Sequence, residues 1–124
     1  MDTALWIAQA LLAAVFLATG LTKLIVPRRK LAAGPMRWAA EVTDAQFRTI
    51  GLLEVLGAAG LVLPGVLGIA TPLTALAAAG LTLTMVGAIA THVRFHELNR
   101  IAVPIAMLAL TLLVAVERLG PHAL

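Results

Sequence analysis

Three kinds of side chain are missing or scarce in this sequence, and each shortage excludes a class of protein. The chain of 124 residues has no cysteine, which excludes disulfides, thiolate catalysis, iron–sulfur ligation and covalent haem attachment. It has no serine, so serine nucleophilic catalysis is excluded as well. Charged residues make up 12% of the chain, about half of the ~25% that is usual in soluble domains. A soluble fold would therefore lack the polar surface needed to cover itself.

Apolar residues take the place of the missing charges and form unusually long runs. They are 61% of the chain, against ~45–50% in soluble domains. Residues 55–93 contain no Asp, Glu, Lys or Arg, whereas a helix needs only about 20 apolar residues to cross a ~30 Å hydrocarbon core. This stretch is interrupted once, at Pro64-Gly65 and from Gly68 to Pro72. It therefore predicts two membrane helices joined by a turn.

The whole chain, residues 1–124, is predicted to be a single all-α domain, an integral membrane bundle of four transmembrane helices. The first helix, at about 4–26, has a long apolar run and no basic start, so we expect a retained span and not a cleaved signal peptide. Thr43 and Gln46 have capping-box spacing before a second helix at about 45–63. The third and fourth helices are predicted at about 71–92 and 101–116. At about 24 Å, the fourth spans only if the bilayer thins locally or flanking residues contribute.

The links between these helices differ in charge. The first link, 28–46, carries Arg-Arg-Lys at 28–30 and Arg37, and it forms either a short surface helix, with Trp38 as an interfacial anchor, or a plain loop. The third link adds two arginines, the second link and the N-terminal tail have none, and the C-terminal tail has only Arg118. The positive-inside rule then predicts that links one and three are cytoplasmic and that both termini are outside, N-out/C-out. This asymmetry also explains the high pI, and no nucleic acid partner is needed.

Three ionisable side chains on different helices fall in the cytoplasmic half of the predicted bundle. Lys23 is in the last turn of the first helix, Glu54 lies within the second, and His92 ends the third. A charge in the middle of a membrane helix costs about 2.5–3.5 kcal/mol on insertion scales, so Glu54 should face the bundle and find a partner. We therefore predict that Glu54, His92 and Lys23 form a catalytic or ligand-binding cluster that could relay protons. The outer half is expected to hold no ionisable group.

Small residues at helical spacing accompany these polar positions. Gly20 precedes Lys23 by about one turn, and Gly51 precedes Glu54 in the same way, which leaves room for a partner or ligand. Two states are open for Glu54. Paired with Lys23 its carboxylate is held ionised, whereas if burial dominates the carboxyl keeps its proton and can exchange it with His92.

Each of these residues also has a simpler interpretation. Lys23 alone would more often be a lysine that extends its ammonium to the membrane surface, and His92 alone would more often lie at the interface. Glu54 has no structural reason within its own helix, so it is either one partner of a fixed ion pair or part of a functional site. His92 and His96 have the spacing of two metal ligands on a helix. A third ligand is missing unless Glu97 or Glu54 serves, and no metal site is predicted.

The sequence resembles the DoxX-like family of small four-helix bacterial membrane proteins. The likeness is carried by FLATGLTKL at 16–24, by GLLEVLGAAGLVLPG at 51–65 and by a histidine that closes the third helix before a basic link. The resemblance implies a membrane bundle linked to redox partners, since the family is named for its likeness to the membrane subunit of an archaeal thiosulfate:quinone oxidoreductase. Some relatives are thought to tether soluble oxidative-stress enzymes. The family's polar positions fall on Lys23, Glu54 and His92, and sulfur chemistry would need a partner subunit.

Three functions remain open from the sequence. The first is a membrane subunit or docking platform of a redox system in the bacterial cytoplasmic (inner) membrane, with a soluble cytoplasmic redox enzyme as partner and a quinone near Glu54 and His92. The second is a self-sufficient enzyme that uses Glu54 as an acid in the isomerisation or cyclisation of a lipophilic substrate. The third is a proton-coupled transporter, which is less favoured because the first helix carries Lys23 and no glutamate. The chain itself is expected to hold no cofactor, the lipid bilayer is its surroundings, and a homodimer is plausible at this size.

Overall fold

The computed structural model describes residues 2–34 and 36–124, and its long elements are all helices. Four helices are long and apolar enough to cross a membrane: α1 (Asp2–Ile25), α3 (Asp44–Leu67), α4 (Pro72–Arg94) and α5 (Ala102–Leu119). The first link contains the short helix α2 (Arg28–Ala32) and a 3₁₀ turn (Arg37–Glu41), and a second 3₁₀ turn (Leu98–Arg100) precedes α5. The predicted all-α architecture of four spans is confirmed.

The four long helices run up and down in chain order. Gly20 of α1 lies against Gly51 of α3, whereas Gln9 of α1 bonds to Leu61 of α3, so this pair is antiparallel. The links 26–43 and 95–101 therefore lie at one end of the bundle, which we call the link face. Asp2 at the start of α1, the residues after α5 and the turn 68–71 lie at the other end, which we call the terminal face.

The surface of the bundle is apolar and its core is small. Large aliphatic side chains point outward on every long helix, for example Leu11, Leu56, Leu83 and Leu112, which are 50–73% exposed. A soluble protein rarely exposes such continuous apolar surface, whereas lipid tails solvate it. The core is formed by residues from all four long helices: Leu5, Leu12, Phe16, Ala58, Leu61, Ala78, Leu81, Met85, Val114 and Ala115.

The predicted end of the second span at Leu63 is wrong, because α3 continues through Pro64 to Leu67. Proline has no N–H, so the carbonyl of Gly60 one turn earlier loses its usual donor. The Thr74 hydroxyl of α4 donates to that carbonyl at 3.0 Å. Such replacement is how a membrane helix tolerates proline. The helix ends instead at Gly68, whose positive φ of 68° glycine adopts without steric cost.

The start of α3 follows the sequence prediction. The Thr43 hydroxyl accepts from the backbone N–H of Gln46, and the Gln46 side chain accepts from the backbone N–H of Thr43. This capping box confirms the predicted boundary to within one residue. Of the two alternatives for the first link, the short helix is present as α2, and the 3₁₀ turn that follows brings Trp38 onto Phe47, with 5.5 Å between ring centroids.

The end of α5 differs from the prediction. The sequence predicts that the fourth helix ends near Val116 and that Arg118 belongs to a tail, whereas the helix runs to Leu119 and Arg118 is buried in its last turn. The Arg118 guanidinium finds partners on α1, so the helix can continue without exposing the charge to lipid. The added turn gives α5 a length of 18 residues.

Candidate functional site

Glu54 and Lys23 form a buried ion pair between α3 and α1. Lys23 Nζ lies 2.7 Å from Glu54 Oε1, and the two side chains are only 8% and 5% exposed. The Thr19 hydroxyl, one turn before Lys23, donates to Glu54 Oε2 at 2.5 Å. Both carboxylate oxygens are therefore satisfied by α1. The sequence correctly indicated Lys23 as a partner but did not indicate Thr19.

Glycine at two positions allows this pair to form. A Cβ added to Gly20 would lie 2.7 Å from the Gly51 carbonyl oxygen, and one added to Gly51 would lie 2.8 Å from Lys23 Cβ. The two backbones thus touch at this crossing, as small residues allow in membrane helices. Lys23 and Glu54 each follow their glycine by three residues, so the close contact brings their side chains together.

A cavity of about 570 Å³ lies beside the ion pair, between all four long helices, and we call it the Glu54 cavity. Most of its wall is apolar, with Phe16 and Val15 from α1 and Met107 and Pro104 from α5. The remaining lining residues are Thr19, Lys23, Met36, Trp38, Ile50, Leu53, Glu54, Thr84, Met85, Gly87, Ala88, Thr91, His92 and Val103. An apolar pocket of this volume with a few polar groups is typical of small-molecule sites.

His92 lines the same cavity but does not join the ion pair. Its Nδ1 lies 3.3 Å from Glu97 Oε1, and within residues 2–34 and 36–124 no hydrogen bond or ion pair connects His92 to Glu54. His92 therefore contacts Glu97, which is 8% exposed, and not Glu54 as the sequence predicted. Glu97 Oε2 also lies 3.6 Å from Arg37 and 3.7 Å from Arg100. Sequence reasoning missed this role of Glu97 because the turn after α4 folds back on the helix end.

His92 and His96 do not lie on one helix, as a shared metal site would require. The helix α4 ends at Arg94, so His96 lies outside the helix and is exposed to solvent. In the part of the chain that the structure describes, no three His, Cys, Asp or Glu side chains are grouped so that they could hold a metal ion.

Glu54 accepts from both of its side-chain partners. The Lys23 ammonium can only donate, and the Thr19 hydroxyl donates to the second carboxylate oxygen. Glu54 is therefore positioned as a hydrogen-bond acceptor for α1. Lys23 Nζ has three N–H groups, so it can donate to a ligand in the cavity while it stays paired with Glu54.

A second buried polar cluster lies near the terminal face, where the sequence predicts no ionisable group. Arg118 Nε donates to Gln9 Oε1 at 2.8 Å, and Gln9 Nε2 donates to the Leu61 carbonyl at 2.5 Å. Arg118 Nη1 also pairs with Asp2, and its guanidinium lies 5.4 Å from the centroid of Trp6. The expectation of an uncharged outer half is therefore wrong. The one feature of the sequence that could have indicated this cluster is Gln9, a polar residue within the long apolar run of α1.

These features define a small multi-pass membrane protein with a charged pair beside an apolar cavity. The sequence model of the DoxX-like family matches residues 7–114 of the chain, and the chain belongs to this family. No curated protein and no solved structure gives a significant match. The family match confirms the resemblance seen in the sequence, while the role of Lys23, Glu54 and His92 as a functional cluster stays a prediction.

Proposed function

We propose that this protein is the membrane subunit or docking platform of a redox system and that its Glu54 cavity binds the headgroup of a quinone. The proposal places the protein in the bacterial cytoplasmic membrane, with the link face toward the cytoplasm and both termini outside. The observation that carries it is the Lys23–Glu54 pair, which is buried from lipid but lines a cavity whose other walls are mainly apolar.

The lining groups suit a flat lipophilic ring with carbonyl oxygens. The Lys23 ammonium can donate to one carbonyl. His92 donates through Nδ1 to the Glu97 carboxylate, so the Nε2 of a neutral imidazole is an acceptor that suits a hydroxyl of the reduced quinol. The methyl, methylene and thioether groups of Val15, Met85 and Met107 supply apolar contacts for the ring and its tail. A quinone would enter from the bilayer, where it is already dissolved.

The link face supports docking of a soluble partner. Apart from the buried Lys23, the two links and the helix turns that adjoin them carry seven basic and three acidic side chains, and the acidic ones are all engaged in ion pairs there. The basic side chains are Arg28, Arg29, Lys30, Arg37, Arg48, Arg94 and Arg100. A surface with this charge attracts an acidic protein and accelerates its association in a salt-dependent way.

The two tryptophans provide a direct test of quinone binding. Trp38 lines the Glu54 cavity, whereas Trp6 lies beside Arg118 near the terminal face. With Trp38 as the sole reporter in a Trp6→Phe variant, a short-chain ubiquinone titrated into nanodiscs should quench fluorescence in a saturable way. In the matched Trp38→Phe variant, Trp6 should show only the linear quenching of a quinone dissolved in lipid.

The variant Glu54→Gln sharpens this test. It removes the charge that fixes the Lys23 ammonium, and we expect it to weaken saturable quenching of Trp38 by about tenfold, equivalent to about 1.4 kcal/mol of binding free energy. Equal, linear quenching of both tryptophans, together with no quinone in lipid extracts of the purified protein, would refute the quinone assignment.

A further inference from the structure

A second cavity, of about 470 Å³, opens at the link face. Its wall contains the ion pair between Arg94 and Glu41, whose closest N–O distance is 2.9 Å and whose side chains are 72% and 46% exposed. The aromatic ring of Phe95 and the side chain of Val42 also line this cavity, so its wall contains both charged and apolar groups. Its exposed charges show that it belongs to the water side of the bundle.

The two cavities share a wall. Trp38 and Thr91 line both the link-face cavity and the Glu54 cavity. The Thr91 hydroxyl donates to the Gly87 carbonyl of its own helix at 2.8 Å, so it is already satisfied. Trp38 is half-buried and packs on Phe47. The indole ring is therefore the larger part of the barrier between water and the membrane-embedded site.

The 3₁₀ turn Arg37–Glu41 fixes the position of this indole. Arg37 Nη2 donates to the Phe95 carbonyl at 2.7 Å on one side of Trp38, and Glu41 pairs with Arg94 on the other. Both contacts cross from the first link to the end of α4. These two contacts to the end of α4 are exposed, where ion pairs contribute little to stability, whereas the rest of the turn is held within the first link and α3 by buried Ala39, whose carbonyl accepts from Arg28.

We propose that the link-face cavity is the entrance by which small water-soluble molecules reach the Glu54 cavity and that the two connect when Trp38 moves. The inference rests on the proposed function, because it supplies the water-side route to a headgroup that has entered from the lipid. Trp38 is a positioning residue: it separates the two cavities until the turn opens.

Because the natural chain has no cysteine, a single introduced thiol can test this connection. Ala88→Cys places a thiol in the Glu54 cavity, which Ala88 lines and the link-face cavity does not reach. In nanodiscs, where both faces meet water, a charged methanethiosulfonate reagent should react slowly with it. Trp38→Ala should raise the rate by about tenfold or more, because the thiolate that reacts forms only in contact with water.

Two further variants keep the test decisive. Glu41→Ala removes the contact to Arg94 and leaves the Trp38–Phe47 packing intact, so a smaller rise is expected from it. Gly80→Cys faces open space on the outer side of α4, and its rate should stay unchanged in the Trp38→Ala background. No rise in either variant, or an equal rise at Gly80→Cys, would overturn the connection. Saturable quinone quenching of Trp38 with unreactive Ala88→Cys would reject only this route and leave the proposed function standing.

Discussion

Removal of the Lys23 ammonium tests most directly whether Glu54 is held as a buried charge. In Lys23→Met, the Glu54 carboxylate keeps only the Thr19 hydroxyl as its hydrogen-bond donor, while its side chain remains 5% exposed. Breaking a buried ion pair by removing one partner costs about 3–5 kcal/mol. We expect a loss of this size in the free energy of unfolding, measured by sodium dodecyl sulfate titration in mixed micelles with far-UV circular dichroism.

A double-mutant cycle separates the pair from the packing of either side chain. Glu54→Gln should cost less than Lys23→Met, since Lys23 is in the last turn of α1 and can extend toward the link face. The double variant should be more stable than Lys23→Met alone, because no charge is then left unpaired. The exposed pair Arg94–Glu41 is the control: Arg94→Met should cost about 0–1 kcal/mol. Additive effects at Lys23 and Glu54, or a loss at Lys23 no larger than at Arg94, would refute the reasoning.

Two further predictions follow from the helix contacts. Gly51→Ala puts a Cβ 2.9 Å from the Gly20 carbonyl oxygen and should lower the free energy of unfolding by about 1–3 kcal/mol in the same titration. The control Gly80→Ala has nothing within 4 Å of the added Cβ and should be neutral or stabilising. Equal effects of the two variants would contradict the close crossing of α1 and α3. Thr74→Val removes the hydroxyl that donates to the Gly60 carbonyl and should lower the free energy of unfolding by about 1–3 kcal/mol. This loss should be smaller in a Pro64→Ala background, where residue 64 again has a backbone N–H for that carbonyl. An unchanged loss would show that the Thr74 hydroxyl has another role.

The position of the ion pair has a consequence for the competing functions. An acid–base isomerase needs a Glu54 oxygen that can reach the substrate, but Lys23 and Thr19 occupy both oxygens. A proton-coupled transporter would need the same oxygens to be released in each cycle. A binding site that uses the ammonium as a hydrogen-bond donor needs neither, so it agrees best with the geometry.

The sequence by itself determined that the protein lies in a lipid bilayer and that it crosses the bilayer four times. Long runs without charge can be stable as membrane helices and have no other stable form in lipid, where every backbone polar group must be satisfied within the helix. The capping box at Thr43 and the need of Glu54 for a partner were also readable, because both follow from local chemistry. The boundary at Pro64 was misread, because tolerance of that proline depends on a hydroxyl donated by another helix.

Only the tertiary structure decided which polar groups meet. Lys23 and not His92 is the partner of Glu54, since backbone contact between Gly20 and Gly51 sets the depth and rotation of α1 against α3. The same packing pairs Arg118 with Gln9, 109 positions away in the chain. Sequence periodicity gives the face of each helix, but the distance between two faces depends on how closely the backbones approach, and that is a property of the assembled bundle.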